Sequence, residues 1–320
     1  MSITEQLELV VGSRLSENEL MSKHTNFRIG GPAKWFVEVR TIEELVHVLK
    51  IAEDEKLKTF VFGGGSNLLV NDEGFDGIVI KMAMRSYSMD GNRVRAEAGV
   101  LSAALARATA NNGRKGLTWA ISLPGTIGGG VRGNAGCFGG EMRDHLVMVE
   151  VLRDGKIVEL SKDELEFGYR ESVIKHSDDI VLAATFELED GDTDELKMEL
   201  ADKLMKRKES QPQDAGSAGC LFKNYDVADD GEMQRLSEKL DIPAEMHAGR
   251  RLSAGWLIDN LDLKGMKIGG AQISSVHGNF LVNTGEAKAD EVAQLIALIK
   301  TKARDQYGIL LMEEVQYVGF

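Results

Sequence analysis

One thiol stands in the segment Ser217-Ala218-Gly219-Cys220-Leu221-Phe222-Lys223-Asn224, and it is one of only two cysteines in 320 residues. An ordinary thiol, with a pKa of about 8.5, is protonated at neutral pH and gives up its proton more readily than a serine. Cys220 can therefore serve as an acid. As a nucleophile it would need a base, and His277 is the obvious candidate. A small buried cysteine is the third reading, and the segment alone favours it. A second group is Arg170 in Gly168-Tyr169-Arg170-Glu171-Ser172. Its guanidinium can stabilise developing negative charge, or it can be a surface or packing residue. A third is the pair Glu313-Glu314 in an apolar C-terminal stretch. Adjacent strand residues point to opposite faces, so one of the two should turn inward, where a carboxylate needs a partner or a task. A solvated pair at an edge is the alternative.

Two glycine segments could hold a ligand. Phe62-Gly63-Gly64-Gly65-Ser66-Asn67 follows an apolar run, and such glycines can turn successive backbone N–H groups toward a phosphate. No Gly-Lys-Ser/Thr follows, so this is not a Walker loop, and the spacing is not that of a dinucleotide fingerprint. A structural turn competes with the phosphate reading. Ser122-Leu123-Pro124-Gly125-Thr126-Ile127-Gly128-Gly129-Gly130-Val131-Arg132-Gly133-Asn134-Ala135-Gly136 is more specific. Glycine and other small residues recur across its fifteen positions, more than a simple turn needs, and leave room for a flat or phosphorylated ligand.

These residues need a scaffold. Residues 41–57 read as an amphipathic helix with Thr41 as cap and Glu44 completing a capping box. Thr59-Phe60-Val61-Phe62 and residues 77–81 read as strands, which gives an α+β or α/β N-terminal unit. A helix over 101–112 ends at Gly113, a hairpin over 147–160 turns at Asp154-Gly155, and a strand covers 180–188. A charged helix over 193–209 leads into a polar connector, 210–217, a plausible domain boundary. Beyond it come a helical segment at 255–261, a short strand Phe280-Leu281-Val282, a long helix over 289–306 and a strand over 308–315.

A net charge of -13 argues against nucleic acid, because neutralising phosphates takes a basic surface. It does not exclude a small anion, which local amides and a few cations can bind. No apolar run approaches the roughly 20 residues that span a bilayer. The start of the chain lacks the features of a signal peptide, so a cytoplasmic protein without a membrane partner is expected. Two cysteines cannot make a Cys-rich zinc site, and no metal is expected.

Taken in order, the segments form a pattern: Thr25-Asn26-Phe27-Arg28-Ile29-Gly30-Gly31-Pro32-Ala33, the GGGSN and LPGTIGGGVRGNAG glycine segments, GYRES, GCLFKN, Ala254-Gly255-Trp256-Leu257-Ile258-Asp259, Ile268-Gly269-Gly270-Ala271-Gln272-Ile273, His277-Gly278-Asn279-Phe280 and the final EEV. The chain closely resembles the UDP-N-acetylenolpyruvoylglucosamine reductases, or UDP-N-acetylmuramate dehydrogenases, from about Ser22 to its end. The resemblance implies an α+β protein with an FAD-binding fold of the vanillyl-alcohol oxidase (PCMH) type and a third α+β domain over the substrate. Residues 1–83, joined by a C-terminal strand at 306–320, and residues 84–208 would be the two FAD subdomains. Residues 209–305 would bind substrate.

The resemblance also implies the reaction. NADPH reduces FAD, and the flavin passes a hydride from N5 to the enolpyruvyl group of UDP-N-acetylglucosamine-enolpyruvate, giving UDP-N-acetylmuramate for peptidoglycan. By the same likeness Arg170 and Glu314 stabilise charge and Cys220 protonates the enolate. Gly63, Gly64, Gly65, Ser66, Asn67, Pro124, Gly125, Thr126, Gly128 and Gly129 hold the flavin. Asn224, Lys223, Gln272, His277 and Asn279 contact the substrate. A monomer of the shorter subclass, without an extra substrate-covering loop, is expected. Gly130, Arg132-Gly133, Cys137 and Tyr225 depart from the family's usual residues, which bears on the loops around the isoalloxazine and the sugar. A flavin oxidase would need a base where this set offers an acid and an enolate clamp. A non-catalytic nucleotide-binding module would need only the glycine loops. A Cys220–His277 thiol hydrolase lacks an evident third, orienting group.

Overall fold

The computed structural model describes residues 1–212 and 215–320. The chain divides into two compact units. The first comprises Met1–Glu19, Ala33–Gly65 and Phe75–Glu209, and the second Leu20–Pro32, Ser66–Gly74 and Ser210–Phe320. The connector expected at 210–217 includes residues 213 and 214, which lie outside the described residues.

In the first unit the sheet order is Leu15–Leu20, Pro32–Val39, Phe75–Met82, Thr59–Phe62. Phe75–Met82 runs parallel to both neighbours, with Val79 opposite Phe36 on one side and Phe60 on the other. A parallel strand covered on both faces reads as a continuous apolar run. Ile78, Val79 and Ile80 are accordingly fully buried. The helix Ile42–Asp54 begins as expected, with Thr41 Oγ1 accepting the Glu44 N–H. The capping box is only half present as read. Glu44 accepts from the Arg40 N–H at 2.7 Å, and Arg14 takes both its carboxylate oxygens at 2.7 and 2.5 Å.

A second, antiparallel sheet has the order Lys156–Ser161, Leu146–Arg153, Ile180–Glu187, Arg93–Glu97, Tyr87–Asp90. The hairpin read from Asp154-Gly155 is there. Both residues have positive φ, 49° and 72°, as a two-residue type I′ turn requires. Helices Ser102–Asn111 and Thr193–Ser210 lie within about a residue of their expected ends.

The second unit buries its own core around the helix Ala289–Tyr307 and the small antiparallel sheet of Lys267–Ile268, Ala271–Ile273 and Leu281–Asn283. Both carboxylate oxygens of Asp72 cap that helix, accepting from the N–H groups of Ala289 and Asp290 at 3.0 and 3.3 Å. The strand expected over 308–315 is corrected. Gly308, at φ 72°, closes the helix, and the chain then runs extended with Ile309, Leu311 and Val315 buried. Its alternation mimics a strand, but its partner, residues 221–223, offers a single bridge, Phe222 to Glu313. The ladder forms later, where Gln316–Val318 pairs in parallel with Leu68–Val70.

Candidate active site

The glycine segments meet in the first unit. Gly63, Gly64 and Gly65 follow the strand Thr59–Phe62, and Gly65 takes φ 63°. A Cβ on Gly63 would lie 2.1 Å from Thr126 Oγ1, and one on Gly64 would lie 2.8 Å from Gly125 Cα. Gly125 turns at φ 112°, and Thr126 stands at the N-cap position of the short helix Ile127–Arg132 without a side-chain cap bond. The two loops thus pack backbone to backbone, an approach that side chains would block. Thr126 is 5 % exposed, and its hydroxyl has no hydrogen-bond partner among the described residues. A buried hydroxyl without a partner is costly. A side-chain-free cradle with an unsatisfied hydroxyl fits the phosphate-bearing part of FAD.

The rest of the motif divides by role. A Cβ on Gly128 would meet Ala98 Cβ at 2.8 Å, so this glycine lets the short helix pack against residue 98. A Cβ on Gly129 would lie 3.9 Å from Thr126 Oγ1, an ordinary contact. Pro124 is exposed beside Gly125.

The glycine motif also meets the GYRES segment in this unit. Asn134 is fully buried, and its Nδ2 donates to Gly168 O at 2.9 Å. Ser172 Oγ donates to Arg132 O at 2.6 Å. Arg170 sits in this stapled loop with φ 58°, a left-handed conformation that a long side chain seldom takes. Its guanidinium donates to Gly136 O at 2.8 Å and lies 5.2 Å from the Tyr169 ring centre. Lys175 Nζ donates to Arg170 O at 3.0 Å and pairs with Glu171 at 3.3 Å. Neither Asn134 nor Lys175 stood out in the sequence, because nothing local marks their partners.

In the second unit Cys220 and Glu314 come onto paired backbone. Cys220 is half-buried and bridges to Phe280. Glu314 N–H donates to Leu221 O at 2.7 Å, and Lys223 N–H donates to Met312 O at 2.9 Å. Glu313 pairs with Lys300 at 2.8 Å. Asn67 Nδ2 donates to Glu314 O at 3.0 Å, so the side chain read as a flavin contact holds the Glu314 backbone. Ser66 precedes it and is half-buried.

The expected substrate residues all lie in this unit. Asn224 Oδ1 accepts from Ala254 N–H at 3.1 Å, and Gln272 Nε2 donates to Gly265 O at 3.0 Å. Lys223 is half-buried. His277 Nδ1 accepts the Asn279 N–H at 3.2 Å, and its ring lies 4.9 Å from that of Phe280. Burial pushes the His277 imidazole below its ordinary pKa, which keeps it neutral and suits that acceptor role. Asn279 is 3 % exposed. Cys137, in the first unit, donates its thiol to Trp119 O at 3.4 Å, and burial pushes its pKa up. No cluster of His, Cys, Asp and Glu that could hold a metal occurs among the described residues.

Residues 33–161 match the FAD binding domain family, and residues 211–318 match the C-terminal domain of UDP-N-acetylenolpyruvoylglucosamine reductase. The chain is 36 % identical over 316 residues to the UDP-N-acetylenolpyruvoylglucosamine reductase of Clostridioides difficile (strain 630), covering 98 % of this chain and 96 % of that one. It is 38 % identical over 304 residues to that of Alkaliphilus metalliredigens (strain QYMF), covering 94 % and 92 %. Among solved structures it is similar to the UDP-N-acetylenolpyruvylglucosamine reductase from Thermus caldophilus, with a TM-score of 0.75 and 34 % identity over 94 % of this chain and 97 % of that one.

Proposed function

The chain belongs to the UDP-N-acetylenolpyruvoylglucosamine reductase family, and from that premise we propose how its own residues carry the reaction. It is an FAD-dependent oxidoreductase of peptidoglycan synthesis, α+β, with an FAD-binding fold of the vanillyl-alcohol oxidase type, and it acts on a small UDP-sugar. The finer reading takes NADPH as the reductant and UDP-N-acetylglucosamine-enolpyruvate as the acceptor. It assigns residues 1–83 and 84–208 to the FAD subdomains and residues 209–305 to the substrate domain. The protein acts as a monomer of the shorter subclass, in the cytoplasm, without nucleic acid or membrane partners. No helix among the described residues is long and apolar enough to cross a membrane.

Bound FAD supplies hydride transfer from NADPH to the terminal carbon of the enolpyruvyl double bond. Gly63, Gly64, Gly65, Gly125 and Thr126 hold its phosphates, and the unsatisfied Thr126 hydroxyl supports that role. Hydride addition turns the terminal carbon into a methyl and puts negative charge on the neighbouring carbon and its carboxylate. Arg170 stabilises that charge by a charge-assisted hydrogen bond. Its left-handed backbone, tied by Lys175, suits a guanidinium held in one direction. Cys220 then gives its proton to the carbanionic carbon, and solvent restores the thiol. Glu314 acts through a proton or hydrogen bond, because a bare carboxylate beside an enolate would repel it.

The observation that carries the Cys220 and Glu314 roles is their shared backbone: Leu221, next to the thiol, accepts the Glu314 N–H. Anaerobic stopped-flow of the flavin absorbance tests them. Cys220→Ala is expected to keep reduction by NADPH and to slow reoxidation by the enolpyruvyl substrate roughly a thousandfold, a typical loss for a general acid. Cys220→Ser should keep part of the rate. Normal reoxidation in Cys220→Ala would overturn the proton-donor role.

A further inference from the structure

We propose that Asn279, expected from sequence likeness to touch the substrate, is instead the positioning residue that aims the Cys220 thiol. The inference rests on the reading of Cys220 as proton donor. Both ends of the Asn279 carboxamide are spent on one neighbour: Nδ2 donates to Phe222 O at 2.8 Å, and Oδ1 accepts the Phe222 N–H at 2.9 Å. The Asn279 main-chain oxygen accepts the Leu221 N–H at 2.9 Å, and its own N–H goes to His277 Nδ1. At 3 % exposure the side chain offers no free edge to a sugar and admits no water in its place. An amide is the group that serves here, because it donates and accepts in one plane.

The gripped dipeptide is where the chemistry hangs. Cys220 precedes Leu221, and Glu314 is tied to Leu221 O across the bridge. Just before Cys220, Gly219 takes φ 81° with no atom near its missing side chain, so the chain has its freedom on that side. The Asn279 clamp removes that freedom on the other side. A proton donor acts only within hydrogen-bond reach of the accepting carbon, and small displacements are felt steeply.

The test is Asn279→Asp in the FAD-loaded enzyme. The carboxylate keeps the shape and the bond from the Phe222 N–H but faces Phe222 O with a second acceptor. Reoxidation by the enolpyruvyl substrate should fall about 10- to 100-fold, with half-saturation changed less than about threefold and reduction by NADPH unchanged. The solvent deuterium isotope effect on reoxidation should grow. Lowering the pH should recover the rate relative to the parent, because the protonated acid can again donate to Phe222 O. In a Cys220→Ala background Asn279→Asp should change reoxidation by less than about twofold. In substrate-free protein, iodoacetamide labelling read by mass spectrometry should change several-fold at Cys220 and stay constant at Cys137.

If Asn279→Asp does not fold, Asn279→Gln keeps both groups on a longer stem and serves for the same comparisons. Loss of substrate affinity at unchanged maximal rate, or full additivity with Cys220→Ala, would overturn the proposal in favour of a substrate contact. Normal reoxidation in Cys220→Ala alone would instead remove the donor reading on which it rests.

Discussion

Thr126 shows how much one hydroxyl can say. It is buried beside the bare backbone of Gly63 and satisfied by nothing among the described residues. Thr126→Val removes an unsatisfied polar atom without changing the side chain's shape. The FAD-depleted variant should be as stable as the parent or up to about 1 kcal/mol more so. Its dissociation constant for FAD should rise about 10-fold, the worth of one hydrogen bond to a charged phosphate. Fluorescence titration with FAD and urea unfolding read the two effects, and unchanged FAD affinity would remove Thr126 from the flavin site. Cys137 teaches the opposite lesson. Its thiol bonds to Trp119 O, and its burial holds it protonated, the behaviour of a packed cysteine. The sequence marked Thr126 and both thiols by type, but it could not say which polar atoms would end without partners.

Between elements, the Arg14–Glu44 pair is the clearest tie. It joins the short turn Gly12–Arg14 to the helix Ile42–Asp54, and Arg14 also donates to Glu38 O at 2.9 Å. The Arg14 guanidinium and the Arg40 N–H hold the Glu44 carboxyl at a pKa of about 2. A carboxyl depressed on folding stabilises the native state above its unfolded pKa and loses that contribution as pH falls toward the folded value. Arg14→Ala should therefore cost about 1–3 kcal/mol near neutral pH. The difference from the parent should shrink between about pH 4.5 and pH 2, and urea unfolding across that range checks it. A difference independent of pH would mean that Arg14 stabilises through packing alone. Only part of this tie was legible. Thr41 and Glu44 advertise a helix start, yet the carboxylate went to an arginine thirty residues away. The segment 308–315 misled in the other direction. It alternates like a strand because Ile309, Leu311 and Val315 are buried between more exposed neighbours, but a ladder needs a neighbour with a matching edge, and that neighbour lies elsewhere in the chain.

For the protein as a folding unit, FAD is a ligand of the native state. At a free concentration about 100 times its dissociation constant it should stabilise by about 2.7 kcal/mol and raise the midpoint of thermal unfolding by several degrees. Differential scanning of FAD-depleted protein titrated with FAD reads this, and a midpoint indifferent to FAD would count against a native flavin site. The hairpin at Asp154-Gly155, the helix before the first glycine loop and the ordered motifs were all readable from the chain. Each is carried by neighbouring residues, whose periodicity and turn chemistry act over a few positions. The grip of Asn279 on Phe222 spans 57 residues, and that of Asn67 on Glu314 spans 247. A hydrogen bond between such distant partners leaves no local pattern. It exists only once packing has brought the side-chain amide to the distant backbone oxygen, at 3.0 Å for Asn67 and 2.8 Å for Asn279.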